Sequence, residues 1–361
     1  MSHTILFEQA NKYKELGQFD NAIKSYEEVI QFNPNYIEAY YNLGELQHQL
    51  GNFDKAVRNF KKVVSINPEH SKTHSNKILL VIYHFSKGQI NDALETLNLL
   101  IESNSKDALL YNMMGGCYLG LRQFEMAIQN YEKALALNPD YAIPQHMLNS
   151  LKGKTSKHPP KEYVKNLFDD YADRFNESLV QSLQYKLPFM IKEIIQQISN
   201  TPRFSKTIDL GCGTGLSGEG LREISKHLSG IDISENMISK ANALGIYDSL
   251  YIGDIVETLN SIQENFDLFV ALDVLIYVGD VEPIFRTIRK FCDSGSFFVF
   301  STETQNEDGY SLLESSRYSH SDSYIMNQAT GKFNLIKSKN IVIRKEGNNL
   351  IQGKIYIFKS I

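Results

Sequence analysis

The chain has 361 residues, 42% hydrophobic and 22% charged, with a formal net charge of −5. Residues 1–152 carry 14 basic and 16 acidic side chains and the remainder 23 and 26; neither half has the basic surplus of a nucleic-acid-binding domain, and no nucleic-acid partner is expected. Three widely spaced cysteines form no CxxC or Cys/His ligand pattern, which argues against a disulfide framework and a metal site and fits a reducing compartment.

The opening residues lack a basic-then-apolar signal pattern, and the longest apolar run, "FDLFVALDVLIYV", is broken by Asp273. No membrane span is expected, and a cytoplasmic setting is the default. About two domains suit the length.

The first half repeats itself. "LGQFDNAIKSYEEVIQFNP" (16–34), "LGNFDKAVRNFKKVVSINP" (50–68) and "LRQFEMAIQNYEKALALNP" (121–139) align, with a weaker copy at 87–105. Ala22, Ala56, Ala93 and Ala127 stand at spacings of 34, 37 and 34. A fixed period near this length, with two helices per unit, marks an all-α solenoid. The second unit carries Tyr40, Leu43, Gly44, Ala56, Phe60 and Pro68; small residues at 44 and 56 let two helices approach, and Phe60 fills the space beside them. The proline position of the third unit is Ser105.

These units closely resemble tetratricopeptide repeats over roughly residues 3–141. The resemblance implies a concave groove lined by the first helix of each repeat. The matching positions include Phe7, Tyr41, Ile78, Ile82, Phe85, Leu109 and Leu119, an apolar set suited to docking a protein or peptide segment. Packing against a neighbouring helix is the alternative for the same residues. A last helix at 141–153 is expected to cap the array. The repeat domain is then 1–152, and the polar, Pro-containing stretch 153–162 reads as a linker.

From 207 the chain reads "TIDLGCGTGLSGEGL". An apolar strand ends at Asp209 and Leu210, glycines follow at 211, 213 and 215, and a helix begins. Gly213, Gly215 and Gly218 also satisfy the dinucleotide pattern GxGxxG, but a dinucleotide loop needs its first glycine at the strand end. Here Gly211 holds that place. Asp209 would repel a diphosphate, whereas it is favourable beside a sulfonium and an amino group. S-adenosylmethionine is therefore the expected cofactor.

Further strands follow in order. One ends at Asp232, placed to accept ribose hydroxyls. A third ends at Asp254, placed to accept from an adenine amino group. Residues 265–280 form a continuous apolar run, as expected of a central parallel strand. A fifth strand spans 294–303, and 340–360 reads as a hairpin turning at a Gly-Asn pair.

Residues 163–361 resemble class I S-adenosylmethionine-dependent methyltransferases. The expected architecture is a Rossmann-like α/β domain with a seven-stranded sheet ending in an antiparallel hairpin. Residue by residue, the resemblance implies a cofactor site of Asp209, Gly211, Gly213, Gly215, Asp232 with Ile233 and Met237, Asp254 with Ile255, and Asp273 near Leu275 and Tyr277. The order of repeats, lead-in and fold resembles predicted bacterial tetratricopeptide-repeat methyltransferases. Their lead-in is matched by Phe168, Asp169, Tyr171, Ala172 and Phe175. In related enzymes this helix closes over the cofactor, which implies that Tyr171, and also Tyr163 and Arg174, face it.

The acceptor side is read from "SSRYSHSDSY" (315–324), between the fifth strand and the hairpin. The same family has a similar segment. His320 is the candidate general base, Arg317 would hold a carboxylate or orient His320, and Tyr318 and Tyr324 would shape an aromatic slot. Glu303, at the end of strand five, is a further candidate. A solvated polar loop is the alternative. The expected function is S-adenosylmethionine-dependent methyl transfer, on a protein docked by the repeats. Small-molecule methylation with the repeats used for assembly, and a non-catalytic scaffold, stay open.

Overall fold

A computed structural model describes residues 3–67, 71–172, 175–177, 187–198, 203–346 and 349–361. Pro68, Arg174 and the turn residues Gly347 and Asn348 lie outside that set. The chain divides into two compact units, 1–144 and 145–361.

The first unit is a series of helix pairs. They are α1 (His3–Glu15) with α2 (Phe19–Phe32), α3 (Ile37–Gln49) with α4 (Phe53–Ile66), α5 (Ser71–Ser86) with α6 (Ile90–Ser103), and α7 (Ala108–Gly120) with α8 (Phe124–Leu137). Ala22, Ala56, Ala93 and Ala127 are all fully buried, as their repeat positions require. A Cβ at Gly44 would stand 2.6 Å from the Phe60 ring. The small residue and the aromatic one therefore form a single packing device between paired helices. The next helix, α9 (Ala142–Leu151), crosses the division between the units. Among the described residues, no helix is long and apolar enough to cross a membrane.

The second unit is built on one mixed sheet. Its strands are β1 (Phe204–Leu210), β2 (Ser225–Asp232), β3 (Ser249–Ile252), β4 (Phe266–Ala271), β5 (Cys292–Thr304), β6 (Tyr310–Leu312), β7 (Tyr318–His320), β8 (Phe333–Glu346) and β9 (Asn349–Ser360). The order runs β3-β2-β1-β4-β5, parallel throughout, with β9 antiparallel on β5 and β8 antiparallel on β9. These seven strands are the expected ones. The sheet has nine because β7 adds parallel to the end of β5 and β6 pairs antiparallel with β7. Part of the segment 315–324, read above as the acceptor side with a solvated polar loop as the alternative, is thus strand.

Side chains alternate across the sheet. On β4, Phe269 and Ala271 enter one core while Leu268 and Val270 enter another; on β5, Phe298 and Phe300 oppose Phe297 and Val299 in the same way. Both faces are covered by helices, as a parallel sheet requires. One cover is α15 (Ile255–Ile262), α16 (Glu282–Lys290) and α17 (Asp322–Ala329). The other is α12 (Leu187–Gln196) and α13 (Leu216–Glu223). Cys292 is buried in the first core, and burial pushes its thiol up to about 12.

The stretch expected as a linker is fastened along this unit. Leu312 N–H donates to Thr155 Oγ1 (3.1 Å), Asp280 N–H to Lys157 O (2.8 Å), and Ser156 and Tyr318 share a hydroxyl hydrogen bond of 2.8 Å. Residues 155–157 are thus fixed as a strap along this unit.

Candidate active site

The loops that leave the carboxyl ends of β1, β2, β3 and β4 surround one cavity of about 690 Å³. This is where ligands sit in open α/β sheets. Gly211 and Gly213 contribute backbone to its wall, with φ of +69° and +53°. A Cβ at Gly211 would meet Val274 Cγ2 at 2.4 Å, whereas one at Gly213 would meet only Phe175, at 3.6 Å. The first glycine is required by packing and conformation together, the second chiefly by conformation.

Asp232 joins the loops. Its Oδ2 accepts the Gly213 N–H (2.9 Å), its Oδ1 accepts the Ser234 N–H (2.9 Å), and its main-chain carbonyl accepts the Gly253 N–H (2.8 Å). Burial pushes its carboxyl up, and the two amide donors oppose that shift. Ile233, Asp254 and Ile255 also line the cavity. Asp254 is at the same time the N-cap of α15, accepting from Val256 (3.0 Å) and Glu257 (3.1 Å). Its other oxygen stands 3.9 Å from Lys161 Nζ.

Three residues expected at the cofactor lie away from the cavity wall. Asp209 is buried beneath the glycine loop, where its Oδ2 accepts the hydroxyls of Ser217 (2.7 Å) and Tyr247 (2.8 Å). Burial pushes its carboxyl up to about 6 against those two hydrogen bonds. Its carboxylate ties the loop to α13 and does not face the cavity. Gly215 caps α13 and packs on Leu244 and Tyr247. Met237 is fully buried in α14 (Glu235–Ala243).

The lead-in helix, α10 (Lys161–Tyr171), brings Phe168 and Tyr171 to the wall. It is anchored by Asp169, which accepts the Ser234 hydroxyl (2.6 Å) and whose carbonyl accepts the Asn236 side-chain amide (3.1 Å). Phe168 meets Tyr277 edge-on at 5.0 Å, and Tyr171 meets Phe175 at 5.6 Å. Tyr163 packs instead on the His146 ring, at 4.9 Å.

The acceptor-side expectation is corrected in part. Arg317 lines the cavity, and its Nε donates to the Tyr277 hydroxyl at 3.4 Å. His320 does not line it. The ring is 0% exposed, and Nε2 lies 2.9 Å from Val278 O and 3.1 Å from Gly279 O. Two carbonyls require a donor, so Nε2 carries the proton. Burial pushes this imidazole down to about 4. Tyr318 is also fully buried, and Tyr324 stacks on His320 while its hydroxyl donates to Asp280 (3.0 Å). Alternation along β7 explains the split. Tyr318 and His320 share the face that the strap and the 278–280 segment cover.

Glu303 is buried and ion-paired with Arg344. Asp273 lines the cavity and pairs with the same guanidinium at 3.3 Å, while its amide donates to Ser301 Oγ (3.0 Å). Arg344 was not singled out in the sequence. It is 2% exposed and reaches the cavity from β8, beside a register shift between Val342 and Arg344. An arginine inside an alternating apolar strand was the available signal.

Comparison with known proteins fits this geometry. Residues 204–349 match a model described as a methyltransferase domain, residues 10–51 match a TPR repeat model, and 37–70 and 108–141 match a tetratricopeptide repeat model. A ubiquinone biosynthesis O-methyltransferase of Coxiella burnetii is 29% identical over 126 residues, 34% of this chain and 53% of that protein. The protein of the same name from Stutzerimonas stutzeri is 27% identical over 151 residues, 40% of this chain and 64% of its own. The chain thus spans about half the length of the first curated relatives it matches. Among solved structures, magnesium protoporphyrin IX methyltransferase from Synechocystis PCC 6803, with bound SAH, superposes with a TM-score of 0.44 at 16% identity, covering 56% of this chain and 99% of that one. The chain carries tetratricopeptide repeats within 10–141 and a methyltransferase domain over 204–349.

Proposed function

We propose that the second unit binds S-adenosylmethionine in the 690 Å³ cavity and transfers its methyl group to an acceptor at the Asp273–Tyr277 end. The observation that carries this reading is the convergence of Gly211, Gly213, Asp232 and Asp254, from three successive strand ends, on one cavity. The acidic positions suit ribose and adenine donors, and the backbone loop admits the methionine portion. The sulfonium supplies the reactive methyl when bound. The chain's own residues supply alignment and exclude water. Oxygen is the favoured acceptor atom, because the curated relatives are named O-methyltransferases.

The volume falls within the range of small-ligand sites, about 300–1,000 Å³, which favours a small acceptor or a single inserted side chain. The protein-acceptor reading draws on the first unit. Ile82, Phe85 and Leu109 are 47%, 44% and 39% exposed. They are the apolar positions through which the repeats would dock a protein substrate or partner; Phe7, by contrast, packs within its own repeat core. Methyl-labelled cofactor incubated with lysate, using the full chain and then residues 145–361, separates the two. Label in small molecules, unaffected by removing 1–144, supports the small acceptor. Label in proteins that disappears with the repeats supports docking.

A further inference from the structure

Three consecutive residues of the strap are pinned. Thr155 Oγ1 accepts the Leu312 N–H (3.1 Å), Ser156 shares a hydroxyl hydrogen bond with Tyr318 (2.8 Å), and Lys157 O accepts the Asp280 N–H (2.8 Å). Gly279 admits this close approach. A Cβ there would stand 2.6 Å from Lys157 O and 2.7 Å from the Tyr318 ring, so a side chain at 279 would displace the strap. The next residue, His158, lines the cavity, as do Tyr277, Val278 and Asp280 from the segment that follows β4. His158 is also exposed, so it meets solvent as well as the cavity.

The other ionisable groups of this wall have structural tasks. Asp273 pairs with Arg344 at 3.3 Å, and Glu257 with Lys161 at 2.6 Å. Asp232 and Asp254 accept backbone amides. Asp280 Oδ1 accepts the Tyr324 hydroxyl (3.0 Å) and the Glu282 N–H (3.1 Å). Arg317 Nε donates to the Tyr277 hydroxyl, and burial pushes that phenol up, which keeps it protonated. Among the described residues, His158 is the imidazole on the cavity wall. A hydroxyl must give up its proton as its oxygen attacks, and a positioned base takes it. Imidazole is the side chain suited to that exchange near neutral pH.

We propose that His158 is the general base of the reaction, and that its ring takes the proton of an acceptor hydroxyl at the Tyr277–Asp280 end. This rests on the methyltransferase reading above. The hydroxyl oxygen forms the O–CH3 bond as the C–S bond breaks, and the sulfur keeps the electron pair as a neutral thioether. The hydroxyl proton passes to the imidazole and from there to solvent. The pinned strap is then the device that sets the base beside the acceptor.

The test uses the full chain, cofactor tritiated in the methyl group, and a bacterial lysate as acceptor source. The parent should give label that survives alkali. His158→Gln and His158→Ala should each lower transfer by about a hundredfold, with melting temperature and affinity for S-adenosylhomocysteine unchanged. Imidazole added to the buffer should restore part of the His158→Ala activity, which a merely structural role would not allow. Near-parental transfer by His158→Gln would overturn the proposal, all the more if Asp280→Asn abolished transfer and so placed the base on that carboxylate. A loss that imidazole leaves unrelieved would overturn it too, as would weakened S-adenosylhomocysteine binding, which would assign the ring to the cofactor. Label released by alkali as methanol would mark an ester, whose parent carboxylate has no proton to give, and would also overturn it. A parent chain that binds no S-adenosylmethionine would instead remove the underlying methyltransferase reading.

Discussion

The Asp232 carboxylate accepts the Gly213 N–H at 2.9 Å, across 19 residues of chain. With the Gly211 and Cys212 amides, which donate to Ile231 O at 2.8 and 2.9 Å, this hydrogen bond holds the glycine loop after β1 against the end of β2. The carboxylate that would hold the ribose is therefore also the one that shapes the loop beside it. Asp232→Ala removes both roles and leaves the buried Ser234 amide and the half-buried Gly213 amide without their acceptor. An unsatisfied buried donor costs about 1–3 kcal/mol. Cofactor affinity should fall by about tenfold or more, with a lowered melting temperature, measured by calorimetric titration and thermal unfolding.

Two glycines in the same loop should respond differently. Gly211→Ala and Gly213→Ala both place a Cβ at positive φ, at about 1–2 kcal/mol each. Only the first also drives it into Val274, at 2.4 Å. Overpacking adds about 1–3 kcal/mol. Chemical denaturation should find Gly211→Ala the less stable protein, while Gly213→Ala, facing the cavity, should lose cofactor affinity out of proportion to its stability.

His320 should act on stability rather than on the chemical step. Its folded-state value of about 4 lies below the ordinary imidazole value of 6.5. Between these the unfolded chain binds the extra proton and the folded chain does not, so stability is intact above 6.5 and falls as pH drops towards 4. The full effect is about 3 kcal/mol. His320→Gln keeps an N–H donor for the Val278 and Gly279 carbonyls and cannot titrate, so it should flatten that part of the unfolding profile. At pH 7.5, turnover of the variant should stay near that of the parent.

The strap should matter for folding of the second unit. A fragment beginning at residue 145 keeps the hydrogen bonds of Thr155, Ser156 and Lys157 with Leu312, Tyr318 and Asp280. A fragment beginning at 161 loses them and uncovers the Tyr318 face. The longer fragment should melt higher by several degrees, since each 1 kcal/mol is worth about 2–4 °C at this size. Equal melting temperatures would show that the strap contributes nothing.

These contrasts trace what a linear reading can reach. The glycine loop, Asp232, Asp254 and the parallel strands were legible because each is a local pattern: a carboxylate at a strand end, a turn, a helix start. The repeats were legible because Ala22, Ala56, Ala93 and Ala127 recur at the period of one structural unit. The acceptor side was not. His320 and Arg317 lie three residues apart, yet pleating and the cover supplied by residues 278–280 bury one and leave the other on the cavity. Arg344 reaches Glu303 and Asp273 only through the pairing of β8, β9 and β5. Asp209 sits in the expected motif, but two hydroxyls claim its carboxylate beneath the loop.

The central claim is that the cavity at the ends of β1, β2 and β3 is an S-adenosylmethionine site. Calorimetric titration of the full chain tests it most directly. Saturable binding of one S-adenosylmethionine per chain is expected, displaced by S-adenosylhomocysteine, with no binding of NAD. Absence of S-adenosylmethionine binding, or binding of NAD in its place, would contradict it.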